Sequence, residues 1–287
     1  MADRYKIIRA HNIEHEYYKN LALAEGAFLK KVYFFIEGLR LKYYENSMKY
    51  ANLILAISEH EMQYFSHKFK NIPVMYISPF HGNTCSNNIV LSDKKYILWH
   101  GNLKTKDNEY VLNYLITNIF NNINHHIIIV SNFLPDSIKI LLNNNIEYIH
   151  GANKNQIDNL ILKSHVQLLW SHNISGFKLK LLNAVFLGKF CIANSKMLHG
   201  TGLELVCHVA DNKEQVINVI EHLWDNNYTE AMHMQRMEVL RNYEDGHLMA
   251  KIQQAISQMI SHHMPGVSMQ VIFLLLLYAY QVYDLYV

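Results

Sequence analysis

Between Tyr96 and Ala193, short apolar runs alternate with helix-patterned segments of about ten residues, and this alternation constrains the fold more than any other feature of the chain. The strand candidates are Tyr96–Trp99, His126–Val130, Ile146–Ile149, Val166–Trp170 and Lys189–Ala193. Helical spacing fills the gaps at Asn108–Phe120, Asp136–Asn143, Asn155–Ser164 and Phe177–Leu187. Strands joined through helices run parallel, because a parallel neighbour needs a long crossover. The pattern predicts a doubly wound, parallel α/β sheet. Further helices are expected near Lys213–Trp224, Thr229–Asn242 and His247–His262.

The chain before this region is less regular. Tyr5–Arg9 is a short strand-like run, and Glu14–Tyr50 is helical in pattern, with a break expected near Gly26 or Gly38. Leu53–Ile57 reads as a buried strand, after which Ser58 caps a helix and Glu61 completes a capping box. Val74–Ile77 is another strand, and the polar stretch Pro79–Asp93 reads as a linker. The expected organisation is a partial Rossmann-like domain over 1–91, a second such domain with closing helices over 92–262, and a hydrophobic tail over 263–287. The first domain has about half the strands of a doubly wound sheet, so an unpaired strand edge and an apolar face are expected there.

Composition narrows the function. A net charge of +2 over 287 residues carries no nucleic-acid footprint. The 18 histidines would make the surface basic only in mild acid. Cys85, Cys191 and Cys207 have no metal-like spacing; Cys191 and Cys207 fall in apolar strand-like runs and read as buried thiols, which fits a reducing cytoplasm. The start of the chain is not patterned as a signal peptide. The apolar stretch Val271–Val287, interrupted by Gln281 and Asp284, falls short of the ~20 residues of a spanning helix. A span, a membrane-surface helix, a buried helix and a tail packed on the body or poorly ordered are all open for it.

The chemistry concentrates at Ser175–Asn194, a glycine-led loop followed by a helix and a buried strand. Lys178 and Lys180 fall in the first turn of that helix, where free backbone N–H groups already favour an anion. A second glycine loop, Asn194–Glu204, leaves the next strand. Two polar loops at strand ends of one α/β layer point to a phosphate-bearing ligand. The plain alternative is an ordinary crossover with solvated lysines.

The string Gly176-Phe-Lys-Leu-Lys-Leu-Leu-Asn-Ala184, followed by Gly200-Thr-Gly-Leu-Glu204, resembles the C-terminal domain of GT-B glycosyltransferases of the group 1 type. The likeness is greatest to a branch associated with Bacteroidetes. Arg9-Ala-His-Asn-Ile-Glu14, Tyr43-Tyr-Glu45, Ile57-Ser58, Ser78-Pro-Phe-His81 and Ile97-Leu-Trp-His-Gly-Asn-Leu103 follow in that family's order. The resemblance implies a nucleotide-sugar donor bound between two Rossmann-like domains, transfer with retention, and no metal or resident cofactor. It implies a glycan or lipid-linked acceptor, with peripheral contact at the inner face of the cell membrane. Lys178 and Lys180 become diphosphate ligands, with Lys178 and His11 as the catalytic candidates. Gly101, Asn102, Ser175, Gly176, Phe177, Asn183, Gly200, Thr201, Gly202 and Glu204 complete the donor-binding set.

The chain departs from the family pattern where two carboxylates are common. Ser175 and Asn183 stand there, so an amide would meet the ribose hydroxyls and a hydroxyl would face the sugar. Ser131–Pro135 also lacks the arginine often found after the corresponding strand. These departures, with the short first domain, keep open a binding module without turnover. A third reading comes from His11-Asn-Ile-Glu-His15, which matches an inverted zinc-peptidase pattern. It needs His11 and His15 one turn apart on a helix, with Glu14 as base. His11 directly follows a strand, which favours a turn instead. His81, after Pro79-Phe80, is placed to line the interdomain cleft or, as the favoured reading, to act as a hinge residue, and Glu37–Arg40 reads as a solvated ion pair.

Overall fold

The computed structural model describes residues 5–86, 95–174 and 177–263. Ser175, Gly176 and the tail from residue 264 lie outside the described residues.

The first unit is a three-stranded parallel sheet of β1 (Ile7–Ala10), β2 (Leu53–Ala56) and β3 (Val74–Tyr76), in that order. Ile7 pairs with Leu53 and Ile54 with Val74. Helix α1 (Glu14–Ala24) and helix α2 (Phe28–Glu45) form a hairpin between β1 and β2. The break falls at Gly26, as one reading of the sequence expected. Gly38 instead lies inside α2, where its missing side chain lets α1 approach. A Cβ there would meet His15 O and Tyr18 Cβ at 3.4 Å. Glu45 ends α2 buried, accepting from Tyr64 at 2.7 Å and pairing with Lys68 and with His15 Nδ1. That carboxylate ties the hairpin to α3 (Glu59–Lys68).

The second unit is a six-stranded parallel sheet. Its strands are β4 (Ile97–His100), β5 (Ile127–Ser131), β6 (Ile146–His150), β7 (Val166–Leu169), β8 (Phe190–Ala193) and β9 (His208–Val209). The order is β6-β5-β4-β7-β8-β9, the doubly wound pattern that the alternation predicts. The first five strands follow the sequence reading within a residue or two. β9 is a two-residue edge strand that the list of strand candidates did not include.

Helices cover both faces of this sheet, so its inner strands are apolar along their length. Helix α4 (Lys106–Asn118), the one-turn α5 (Asp136–Lys139) and α9 (Lys213–Trp224) pack on one face through Leu112, Ile116, Ile138, Val216 and Ile220. Helix α6 (Lys154–Lys163) and α7 (Leu179–Leu187) cover the other through Ile161, Leu181 and Val185. The one-turn α8 (Ser195–Leu198) follows β8. Helix α10 (Glu230–Leu240) then braces the far end of α7, where Arg236 donates to Gly188 O at 2.8 Å and to Lys189 O.

Helix α11 (Asp245–His263) crosses back to the first unit. Leu248, Ile252 and Ile256 pack on Leu53, Leu55 and Ile77, so the small sheet has both faces covered. His81 lies at this crossing, buried among groups of the closing segment. Its Nε2 donates to Tyr243 O at 2.9 Å, its Nδ1 accepts from Asn83 N at 3.1 Å, and its own N–H donates to Asp245 at 3.0 Å. Truncating Ile252 to alanine should open a cavity in this seam. The expected loss is about 2–5 kcal/mol, read as a lower midpoint in urea unfolding.

Candidate active site

Strand order reverses on either side of β4. Chain leaving β4 goes to one side of the sheet and chain leaving β7 to the other, which leaves a crevice at their carboxyl ends. One wall of that crevice is the turn Gly101-Asn102. A Cβ at Gly101 would lie 2.9 Å from the Trp99 ring, so glycine is needed for this close approach. Asn102 folds the turn on itself, accepting from Lys104 N at 3.0 Å and, at its carbonyl, from Thr105 Oγ1 at 2.9 Å. The other wall is the segment after β7. Asn194 staples it to the end of β8, accepting from Ser171 N at 3.0 Å and donating to Ser171 O at 2.8 Å.

This second wall leads into α7. The helix starts at Leu179, so Lys178 is its N-cap residue and Lys180 lies in its first turn. Among the described residues no side chain caps this end, and its first turn holds no acid. The positive end of the helix and the two cations are therefore placed to act together on an anion.

Both lysines are held largely out of water. Burial pushes the Lys180 ammonium down to about 8, and the neighbouring Lys178 charge adds to this. The ammonium lies 5.8 Å from the Trp99 ring centre. Burial also lowers Lys178, with the carboxylates of Asp107 and Glu61 working in the opposite direction. His100, at the end of β4, is pushed down to about 4 by burial and by Lys180, so its imidazole is neutral at physiological pH. The His100 Nε2 and Trp99 Nε1 atoms are buried and meet no hydrogen-bond partner among the described residues. A cationic, partly dry crevice with unused polar groups is suited to a compact, multiply charged anion.

The first unit contributes the opposite side through the start of α3. Ser58 caps that helix, accepting from Glu61 N at 3.2 Å. The Glu61 carboxylate turns onto the Ser58 hydroxyl, where a full capping box would have it reach the Ser58 backbone. Burial raises Glu61, and His60 and Lys178 partly offset the effect.

The second glycine loop sits in the joint between the units. Gly200 O accepts from Glu59 N at 2.9 Å, and a Cβ at Gly200 would meet His60 N at 3.1 Å. Thr201 is buried, and its carbonyl accepts from Tyr76 at 3.0 Å and Tyr243 at 2.8 Å. Gly202 faces the Tyr243 hydroxyl, which a Cβ would approach to 2.6 Å. Gly200 and Gly202 have φ of 67° and 72°, the left-handed region that favours glycine. The protein itself thus fills the close approach that the sequence reading assigned to a ligand. Glu204 opens a short 3-10 turn and is exposed.

The remaining candidates are spread more widely. Phe177 is half-buried against the core under α7. Asn183 Oδ1 accepts from Asn83 at 2.8 Å. His11 lies in the β1–α1 turn, where partial burial of its ring and the Arg9 charge lower its pKa. Helix α1 begins only at Glu14, so His11 and His15 do not share a helical turn. His15 Nδ1 lies 3.1 Å from Glu45 instead. The described residues contain no group of three or more side chains arranged to hold a metal ion. The geometry does not support the zinc-peptidase pattern.

Asp107, Asn173 and Tyr110 join the site without having been singled out in the sequence. Asn173 donates to Asp107 at 2.6 Å, and the Tyr110 ring meets His172 at 4.8 Å. Their only sequence signal is position, in the first turns after β4 and in the loop after β7. Glu61 was legible as a cap but not as the neighbour of Lys178.

No protein-family model matches the chain, and no curated protein matches it. Solved structures do. TarM of S. aureus, as a point mutant in complex with fondaparinux, α-GlcNAc-glycerol and UDP, aligns with a TM-score of 0.63 at 14% identity over 87% of this chain and 50% of that one. Sucrose-phosphate synthase from Thermosynechococcus elongatus gives 0.62 at 11% identity, over 89% and 68%. A glycosyltransferase from Rickettsia africae gives 0.58 at 16%, over 76% and 66%. The chain spans 47% to 68% of the length of such structures. At these identities the likeness establishes the fold, which is the α/β GT-B architecture with its Rossmann-like units.

A buried ammonium burdens the folded state, and the depressed Lys180 pKa gives the sign. That cost is fully present below about pH 8 and fades as pH rises toward the ordinary lysine value of 10.5. Lys180→Met should therefore raise the thermal midpoint at pH 7. The gain should shrink as the melt is repeated at rising pH up to the alkaline range.

Proposed function

We propose that this chain is a glycosyltransferase that moves a sugar from a nucleotide-sugar donor to a glycan or lipid-linked acceptor, with retention, in the assembly of cell-surface polysaccharide. Under this reading it works in the cytoplasm, has no resident cofactor, and takes the nucleotide sugar as a substrate. The observation that carries the reading is the lysine pair at the uncapped start of α7, set beside the strand-order reversal of a GT-B sheet.

Transfer from a nucleotide sugar leaves a nucleoside diphosphate, and negative charge grows on its phosphates as the glycosidic bond breaks. Lys178, Lys180 and the α7 N–H groups are suited to stabilise that charge. Their partial burial strengthens the interaction, because less water screens it. Gly101 lets backbone approach the same group, and Asn102 fixes the turn. Asn183 would meet the ribose once released from Asn83, and Ser175, Gly176 and Phe177 would meet the donor. Glu204 would take sugar hydroxyls, and the Gly200–Gly202 loop would hold the joint shut. His11, on the first unit's turn, would contact the transferred sugar or the acceptor.

Thermal stability measured against UDP-, GDP-, ADP- and CMP-sugars tests the donor site. One nucleotide family should stabilise the fold, by about 2.7 kcal/mol at a hundredfold excess over its dissociation constant. Lys178→Ala should abolish most of this shift; an undiminished shift would remove the diphosphate assignment. Because Lys180 loses its charge above about pH 8, donor affinity should fall as pH rises past that value. Transfer of labelled sugar to acceptor then separates an enzyme from a module that only binds.

A further inference from the structure

We propose that Cys191 and Cys207 form a redox-responsive thiol pair, which a small peroxide joins into a disulfide that staples the edge of the second sheet and the glycine loop of the joint. This inference does not depend on the donor reading, since neither thiol belongs to the proposed donor site.

The pairing follows from strand register. Cys191 lies in β8, and β9 pairs with that strand through Ile192 opposite His208 and Ala193 opposite Val209. One step back along both strands sets Cys207 opposite Cys191, and the Cys207 backbone is extended there, with φ −125° and ψ 152°. Neighbouring strands lie about 4.8 Å apart. That is inside the roughly 4.4–6.8 Å between Cα atoms that a disulfide spans. The face matches as well. Cys191 belongs to the core beneath α7 and α10, and Cys207 packs on the same core. Phe190, Ile192 and Ala210 belong instead to the core on the opposite face. Two thiols in register on one face are neighbours, and contact with Cys191, together with burial, holds the Cys207 thiol well above the ordinary range.

The two differ in access. Cys191 is fully buried, whereas Cys207 is partly exposed, beside the exposed Leu205 and Val209. Oxidant therefore reaches Cys207 first. Hydrogen peroxide transfers one oxygen to that sulfur, giving a sulfenic acid and releasing water. The Cys191 sulfur then attacks the sulfenic sulfur, forming the S–S bond and releasing a second water. Two thiols thus lose two electrons and two protons to one peroxide, which becomes two waters. The raised thiol keeps little thiolate, so the reaction is slow and answers sustained peroxide rather than brief exposure.

The bond would close a ring around the 15 residues between the cysteines. Without it, β9 is held along one edge only, by two residues paired to β8 and by Ala210 N donating to Ala193 O at 3.0 Å. The ring contains Gly200 and Thr201, whose carbonyls accept from Glu59, Tyr76 and Tyr243 at the joint. Closing it removes freedom from the unfolded chain, so the oxidised form is the more stable one.

The test treats the full chain with hydrogen peroxide, blocks the remaining thiols with iodoacetamide under denaturing conditions, and maps the peptides by mass spectrometry. One linked pair is expected, Cys191 with Cys207, with Cys85 alkylated. The thermal midpoint should rise by on the order of 5 °C and return on adding dithiothreitol. Cys207→Ser should lose both the link and the rise, and Cys85→Ser should keep both. Cys191→Ala changes a fully buried position, so it is read by mapping alone, where Cys207 should appear unlinked. The proposal is overturned if both thiols are still alkylated after peroxide, or if Cys207 ends as a sulfinic acid with no link. A link from either thiol to Cys85 or to a second copy of the chain overturns it too. A Cys191–Cys207 link that leaves the midpoint unchanged or lower removes the staple. None of these readouts involves a nucleotide sugar, so their failure leaves the donor reading untouched.

Discussion

The reversal of strand order at β4 is the constraint on which the other parts of the site depend. A parallel sheet that grows outward in both directions from one strand must send its crossover helices to opposite faces. Where they part, no helix covers the strand ends, and a crevice remains. The turn after β4 and the start of α7 are the two lips of that crevice. The lysines matter because of this position. On a solvated helix end they would be ordinary surface cations.

Holding two ammonium groups in a partly dry crevice works against folding, and several features of the second unit offset that burden. Arg236 closes the far end of α7 against Gly188 and Lys189, while Leu181, Leu182 and Val185 bury its inner face. Asn194 fixes the end of β7 to the end of β8. The helix is therefore held by its body, and its first turn is free to carry unfavourable charge. Glu61 and Asp107 moderate that charge without neutralising it.

The joint between the units rests on backbone as much as on side chains. The start of α3 bonds to Gly200 O, the Tyr76 and Tyr243 hydroxyls converge on Thr201 O, and α11 lies across the small sheet. Glycine at 200 and 202 permits approach distances that any side chain would block. The same loop in sequence looks like a phosphate cradle, because glycine serves close approach to any backbone or ligand alike. Only the neighbour decides which. On the other side of the first unit, α2 illustrates the complementary case. Its inner face is specified by a glycine and a carboxylate, and its outer face is apolar and exposed.

Periodicity and crossover length were enough to read the parallel α/β class, the first five strands of the second unit and the helix that carries Lys178 and Lys180, since both are local properties of the chain. The break at Gly26 was legible for the same reason, because glycine acts on its immediate backbone. Folding in three dimensions was needed to bring Glu61 and Asp107 beside Lys178, to keep His100 neutral next to Lys180, and to bond Asn183 to Asn83. It was also needed to return α11 to the first sheet, and to give His15 to Glu45 rather than to a metal pattern. Each of these is a meeting of residues far apart in the chain, under a burial that no local pattern encodes. Periodicity states which side of an element is apolar; only packing states what that side, or the charge beside it, will meet.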